Sequence, residues 1–386
     1  MKRLLIVRAG DYAEAWNRFR SGEAASFRDQ QLSVDFVESL SGRYDVTTLA
    51  RCERVHDEAL LPRLRSVGVT SATFYDAKAI TEVLERLAPD LMILTMAATH
   101  VVRWAAKRKL DVLPMFADLF APKGPRGRYR TWKLRRALRS LRYPCVANHS
   151  LEASKSLRAL GIPDERIVPW EHSTLSAVSE AKSAPTGREF RLLYVGRLIA
   201  SKGVGEAIDA VAALQVRGAP LRLTIVGEGQ RGLFVRQVAR LGVEKRVDFR
   251  GQVSSGTVLE WMRSHDAVVV PSRHEYPEGL PNTIFEALAS RTPLIASDHP
   301  AFAPRLSPGR DSLRFRAGDA GDLAVQVARL RGDPDLYRRL SRNSAATLSS
   351  LYVGLHFTEL MRAFLRDPVD TERWVADCSL AAVLRG

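Results

Sequence analysis

Residues Arg191-Leu192-Leu193-Tyr194-Val195-Gly196-Arg197-Leu198-Ile199-Ala200-Ser201-Lys202-Gly203 pass from a short apolar run into a glycine-bounded basic loop, and Val204 to Val216 follow with helical periodicity. An apolar run of strand length, a glycine turn and then a helix is the opening of a βαβ unit. Outward from this stretch the alternation continues. Leu221 to Val226, Val247 to Phe249, Ala267 to Val270 and Leu294 to Ala296 read as buried strands, with Gly232 to Leu241 among the helices between them. Toward the N-terminus the same pattern gives strands at Leu4 to Arg8, Tyr44 to Leu49, Leu91 to Thr95, Asp111 to Met115 and Cys145 to Ala147. Apolar strands separated by helices imply parallel sheets covered on both faces. Residues 172–189 interrupt the pattern with Ser, Ala, Lys, Pro and Gly and read as a linker. The expected fold class is therefore α/β, with two doubly wound Rossmann-like domains facing a central cleft: residues 1–171, then 190–352 after the linker.

Composition bounds the function more loosely. A chain of 386 residues with 46% hydrophobic content suffices for two cores. No apolar run approaches the roughly 18 residues a membrane span needs, so a cytoplasmic location is expected. Three cysteines, Cys52, Cys145 and Cys378, are odd in number and form no Cys-x-x-Cys pair, which speaks against a disulfide framework or a cysteine-built metal site. Lys plus Arg number 58 against 43 Asp plus Glu, a net charge of +15 that favours phosphates, acidic glycans, anionic lipid or nucleic acid without choosing among them.

Ligands of doubly wound sheets bind beyond the carboxyl ends of the strands, which directs attention to two loops. In the first, Gly196 and Gly203 permit close backbone approach, and Arg197 and Lys202 add two cations ahead of a helix N-terminus. That combination forms a diphosphate cradle without a metal; a solvated loop with outward cations is the competing reading. The second, Pro271 to Glu286, places Glu278 before a helix whose first position suits Pro281, with Gly279, Leu280, Asn282 and Thr283 offering free N–H groups. Glu286 falls inside an otherwise apolar helix, where a buried carboxylate needs donors, and a ribose diol supplies two.

The spacing Glu278-x7-Glu286 within Pro-Glu-Gly-Leu-Pro-Asn-Thr-Ile-Phe-Glu-Ala-Leu-Ala resembles the signature of family 4 of the retaining GT-B glycosyltransferases (glycosyl transferases group 1). Tyr194 to Leu198 with Lys202-Gly203, Ile225 to Gly229 and Val247 to Val253 resemble the same family, in the same order. Four ordered motifs over about a hundred residues form a specific joint signal. The resemblance implies that Arg197 and Lys202 bind the donor diphosphate and stabilise it as leaving group, that Glu286 holds the ribose, and that Glu278 binds the transferred sugar. It implies that Gly196, Gly227, Glu228, Gly251, Val253, Gly279 and Leu280 line the nucleotide. It further implies a UDP- or GDP-sugar as co-substrate with no metal and no other cofactor, front-face displacement, and a C-terminal segment, about 353–386, that crosses back onto the first domain.

On the acceptor side the pattern departs from the family. Gly22 stands where relatives carry a glycine-rich loop, and Ala117-Asp118 stand where many carry His-Asp. Asp118 is retained as a candidate catalytic contact, and Gly22, His100 and Trp170 as candidate acceptor-side residues, Trp170 either as a stacking platform or as a core anchor. Lys123 to Arg142 hold nine basic residues, no acidic ones, and Trp132, Leu134, Leu138 and Leu141 at helical spacing. Such a segment either lies on an anionic membrane surface, making the protein peripheral at the inner membrane, or packs its leucines inward beneath a charged face. The expected reaction is sugar transfer to a glycan or lipid-linked acceptor in cell-envelope or exopolysaccharide synthesis. The alternatives are a GT-B nucleotide-sugar epimerase or hydrolase, and a non-enzymatic protein that binds anionic surfaces. No motif indicates a specific nucleic-acid partner.

Overall fold

The structure, a computed structural model, describes all residues except 26, 121, 123, 143–144, 187–188, 217, 367 and 386, and omits the side chains of 368–372. The chain divides into two compact units: Met1–Ala25, Asp29–Ser173 and Val353–Gly386 form the first, and Ser26–Arg28 with Thr174–Tyr352 the second. The segment read as a linker thus contributes residues 174 onward to the second unit, and Arg28 joins that unit from far upstream.

The first unit holds eight strands: β1 (Arg3–Ala9), β2 (Asp45–Arg51), β3 (His56–Leu61), β4 (Leu64–Val69), β5 (Leu91–Leu94), β6 (Asp111–Phe116), β7 (Val146–His149) and β8 (Ile167–Trp170). They run in the order β3-β4-β2-β1-β5-β6-β7-β8, and all pairings are parallel except β3 with β4. Alternation places Leu5 and Val7 of β1 in the core on one face of the sheet and Leu4 and Ile6 in that on the other. Each of these buried side chains stabilises by about 1.5–3 kcal/mol.

The second unit holds β9 (Phe190–Val195), β10 (Leu221–Val226), β11 (Val247–Gly251), β12 (Ala267–Val270), β13 (Leu294–Ser297) and β14 (Ser312–Phe315), in the order β11-β10-β9-β12-β13-β14. The order reverses between β9 and β12, and at such a switch point the loops following the two strands diverge to leave a crevice.

The strands that the apolar pattern does not reveal are β3, β4, β8 and β14, and each has a local reason. β3 and β4 form an antiparallel hairpin at the sheet edge, where Arg65 and Asp57 pair across the strands at 2.6 Å, so their polar residues break the run. β8 contains Pro169, tolerated because β8 is an edge strand. β14 is likewise an edge strand and carries an exposed Arg314 between buried neighbours.

No helix among the described residues is long and apolar enough to cross a membrane.

Candidate active site

β9 ends at Val195, and its loop closes a short 3-10 turn, Ala200–Lys202, at Gly203. Gly203 has φ 74°, and a Cβ there would lie 2.0 Å from the carbonyl oxygen of Pro271. The loops after β9 and β10 are knitted by main-chain hydrogen bonds, from Leu198 N to Glu228 O and from Gln230 N to Leu198 O, both 2.7 Å. Gly227, at φ 136°, would place a Cβ 1.9 Å from Gly196 O, and its own N–H donates to Gly251 O at 2.8 Å. Glycine is therefore dictated by close backbone approach as well as by φ. Gly227→Ala is expected to cost more than about 3 kcal/mol in stability. Gly218→Ala, with φ 71° but open space around it, should cost about 1 kcal/mol. Denaturant midpoints of the two variants check the difference.

These loops border a cavity of about 470 Å³ within the second unit. Among the residues singled out from sequence, Gly196, Arg197, Gly227, Glu228, Val253 and Glu286 line it; Phe27, Gln252, Asn282 and Thr283 join them. Gly251 sits behind the wall as the acceptor of the Gly227 N–H. Gly279 and Leu280 lie in the buried turn that leads into the next helix.

That helix is Asn282–Ala289, and its N-cap is Pro281, with extended ψ 141°. Pro281 is thus one position outside the helix rather than at its first residue. Asn282 and Thr283 occupy the first turn at the cavity wall, where helix N–H groups are free to meet an anion. Thr283 Oγ1 donates to Val195 O at 3.2 Å, fixing the helix start against the end of β9.

Glu286 is 7% exposed, and burial pushes its carboxyl up to about 7, against the opposing influence of Arg28. Arg28 escapes the sequence reading. Its guanidinium donates to Asn282 Oδ1 at 3.2 Å and to the Tyr352 hydroxyl at 3.3 Å, and lies 5.0 Å from the Phe285 ring centroid. A buried cation is thereby built onto the same helix as Glu286.

Lys202 and Glu278, neither of which lines the cavity, come together as a salt bridge between largely buried side chains. Lys202 also lies over the Tyr276 ring at 4.6 Å, while Ser272 Oγ donates to the other oxygen of Glu278 at 2.7 Å. His299, whose pKa is lowered by burial, sits with Nε2 3.0 Å from Tyr276 O and so braces the turn that carries Glu278. Arg197 is exposed at the cavity mouth and forms no ion pair among the described residues.

The remaining candidates lie in the first unit. Asp118 follows β6 half-buried; burial raises its carboxyl above the ordinary value, and its carbonyl accepts from Asn148 Nδ2 at 2.8 Å. His100 is half-buried in the first turn of helix Thr99–Lys107. Gly22, at φ 81°, occupies the exposed turn after helix Tyr12–Arg20. Trp170 is a correction to the acceptor-side reading. It is 6% exposed, donates from Nε1 to Phe116 O at 3.0 Å and packs on His149 and Phe357. A tryptophan with its faces covered anchors the core and offers no platform for a sugar.

Residues 189–333 match the family model described as glycosyl transferases group 1. The match lies within the second unit and spans less than half of the chain. Over 162 residues the chain is 31% identical to the alpha-D-kanosaminyltransferase of Streptomyces kanamyceticus, covering 42% of this chain and 41% of that one. Over 215 residues it is 32% identical to the mannosylfructose-phosphate synthase of Agrobacterium fabrum, covering 53% and 46%. The chain thus spans less than half the length of these curated relatives. Across 98% of this chain and 99% of the other, the structure resembles Anabaena HepE solved in complex with UDP-glucose, with a TM-score of 0.65 and 14% identity. That likeness shows the fold, the GT-B pair of Rossmann-like domains.

Proposed function

We propose that the chain is a retaining glycosyltransferase of family 4 that moves a sugar from a nucleoside diphosphate sugar to a glycan or lipid-linked acceptor. The observation that carries this reading is that a buried Glu286 and an exposed Arg197 line one cavity, while the Lys202–Glu278 pair joins the loops that follow β9 and β12 at the switch point. Glu286 receives two hydrogen bonds from the ribose diol. Arg197, Lys202 and the free N–H groups of helix Asn282–Ala289 take the diphosphate, supplying positive charge there without a divalent ion. As the anomeric C–O bond to phosphate breaks, the departing oxygen gains charge beside these cations and accepts the proton of the incoming hydroxyl on the same face. Glu278 orients the sugar rather than attacking it, and shares Lys202 with the leaving group.

Purified protein incubated with UDP- and GDP-sugars and an acceptor panel is expected to release nucleoside diphosphate in proportion to acceptor. Conversion of donor without acceptor would instead mark an epimerase or hydrolase. Absence of both release and donor binding by calorimetry would refute the reading.

We further infer that the enzyme works at an anionic membrane surface, as envelope or exopolysaccharide synthesis would require. Helix Gly124–Arg139 supports this; Lys123 lies outside the described residues. Leu134 and Leu138 of the helix and the following Leu141 turn into the core, whereas Tyr129 and Trp132 face outward, 56% and 51% exposed, with rings stacked at 6.0 Å. Arg126, Arg128, Arg130, Arg136 and Arg139 surround them, exposed. Each such cation contributes about 1 kcal/mol near anionic lipid, and exposed aromatics suit the interface. Trp132→Ala combined with Arg128→Glu and Arg136→Glu is expected to lower co-sedimentation with phosphatidylglycerol vesicles at least tenfold while leaving turnover on a soluble acceptor unchanged. Equal sedimentation of parent and variant would remove this part of the proposal.

A further inference from the structure

At the carboxyl ends of β1 and β2, the first unit gathers Asp11, Cys52 and His56, a group with no role in the transfer chemistry above. One ligand atom from each lies within 4.8 Å of the other two. The side chains of Asp11 and His56 are each 3% exposed, and Asp11 Oδ1 stands 3.4 Å from His56 Nε2. His56 Nδ1 is 3.2 Å from the carbonyl of Arg54, a contact that makes Nδ1 the donor and turns Nε2 to whatever it faces. Nε2 faces the Asp11 carboxylate and the hydroxyl of Ser66, 3.1 Å away. A cation placed between them would meet the ring nitrogen and the carboxylate together. Gly68 makes the arrangement possible: a Cβ there would lie 2.3 Å from His56 Nδ1 and 2.6 Å from Cys52 Sγ.

We propose that Asp11, Cys52 and His56 bind a divalent metal ion of the zinc class, with one coordination position left for water or a ligand. Thiolate, imidazole and carboxylate together suit zinc and not the oxygen-seeking magnesium or calcium. Thiolate and carboxylate also neutralise the dication, so the mostly buried site carries no net charge, and the Nδ1 contact supplies the outer-shell orientation usual for a ligating histidine. The competing cation is Arg54, 3.5 Å from Asp11 Oδ2. It is half exposed and also paired with Glu58 at 2.5 Å, so it keeps a partner when a metal takes the carboxylate.

Full-length protein stripped with chelator and re-equilibrated with zinc sulfate is expected to retain about one equivalent through gel filtration, measured by elemental analysis. Cobalt in place of zinc should give near-ultraviolet thiolate-to-cobalt absorption that is absent from Cys52→Ser. Cys52→Ser, His56→Ala and Asp11→Asn should each weaken zinc binding at least tenfold. Asparagine caps helices as well as aspartate does, so Asp11→Asn keeps the cap on helix Tyr12–Arg20. Metal-free melting temperatures equal to that of the parent separate loss of a ligand from loss of the fold. Zinc retention by the parent no greater than by Asp11→Asn, or a cobalt spectrum lacking the sulfur band, overturns the proposal.

Discussion

Lys202→Ala is expected to lower turnover by about 10²–10³-fold, the usual cost of removing one preorganised donor from a developing negative charge. The expectation rests on where the ammonium is held. It lies between the Glu278 carboxylate and the Tyr276 ring, with only 14% of the side chain exposed, so little water can replace it. Its loss leaves Glu278, itself 10% exposed, with Ser272 Oγ as its only hydrogen-bond donor among the described residues. The variant should thus lose sugar positioning together with leaving-group stabilisation. Lys202→Arg should rescue poorly, because a planar fork does not occupy the place of a compact ammonium. Donor binding measured by calorimetry should weaken much less than turnover falls, because the charge that Lys202 meets is largest in the transition state. Turnover of Lys202→Ala within threefold of the parent would remove Lys202 from the catalytic role.

A pH dependence centred on Glu286 is the second large effect. Its carboxyl, ordinarily near 4.5, is pushed up to about 7 by burial. Between those values the folded protein holds a proton that the unfolded chain has released. The contribution to stability is therefore complete below pH 4.5 and is lost as pH rises through about 7. At 1.4 kcal/mol per unit the interval corresponds to a difference on the order of 3 kcal/mol. Glu286→Gln, neutral at all pH, should match the parent near pH 4.5 and exceed its stability at pH 8, as read from denaturant midpoints. Ligand binding should carry the opposite sign. Two ribose hydroxyls donate to the ionised carboxylate, so donor affinity should rise with pH up to about 7, and binding below that pH should release a proton. UDP-glucose is the better probe, since its diphosphate diester has no group titrating near neutrality. Calorimetry at pH 6 in two buffers of different ionisation enthalpy detects the proton. Release that persists in Glu286→Gln would assign it elsewhere.

Much of this architecture is written locally. The apolar runs of β9, β10 and β12, the glycines at 196, 203 and 227 and the helix after Gly203 are read from neighbouring residues, because side-chain periodicity and turn chemistry act over a few positions. The spacing from Glu278 to Glu286 likewise sets one carboxylate before a helix and the other inside it. Strand number was less legible. The β3–β4 hairpin and the edge strands β8 and β14 are polar or contain proline where a sheet edge permits it, so the apolar signal fails at those positions.

The α/β class, the restart of the pattern in a second domain and the basic and acidic loops at strand ends thus follow from the order of residues alone. Which side chains meet is set by the folded chain. Lys202 meets Glu278 across 76 positions because β9 and β12 are neighbours in the sheet. Arg28 reaches Asn282 across 254 positions, Trp170 turns into the core, and Asp11 meets the nearby pair Cys52 and His56 from a distant stretch. The physical reason is the same in each case: a side chain's conformation is biased by its own stretch of chain, whereas the charge or ring it meets depends on which strand ends the sheet order brings side by side.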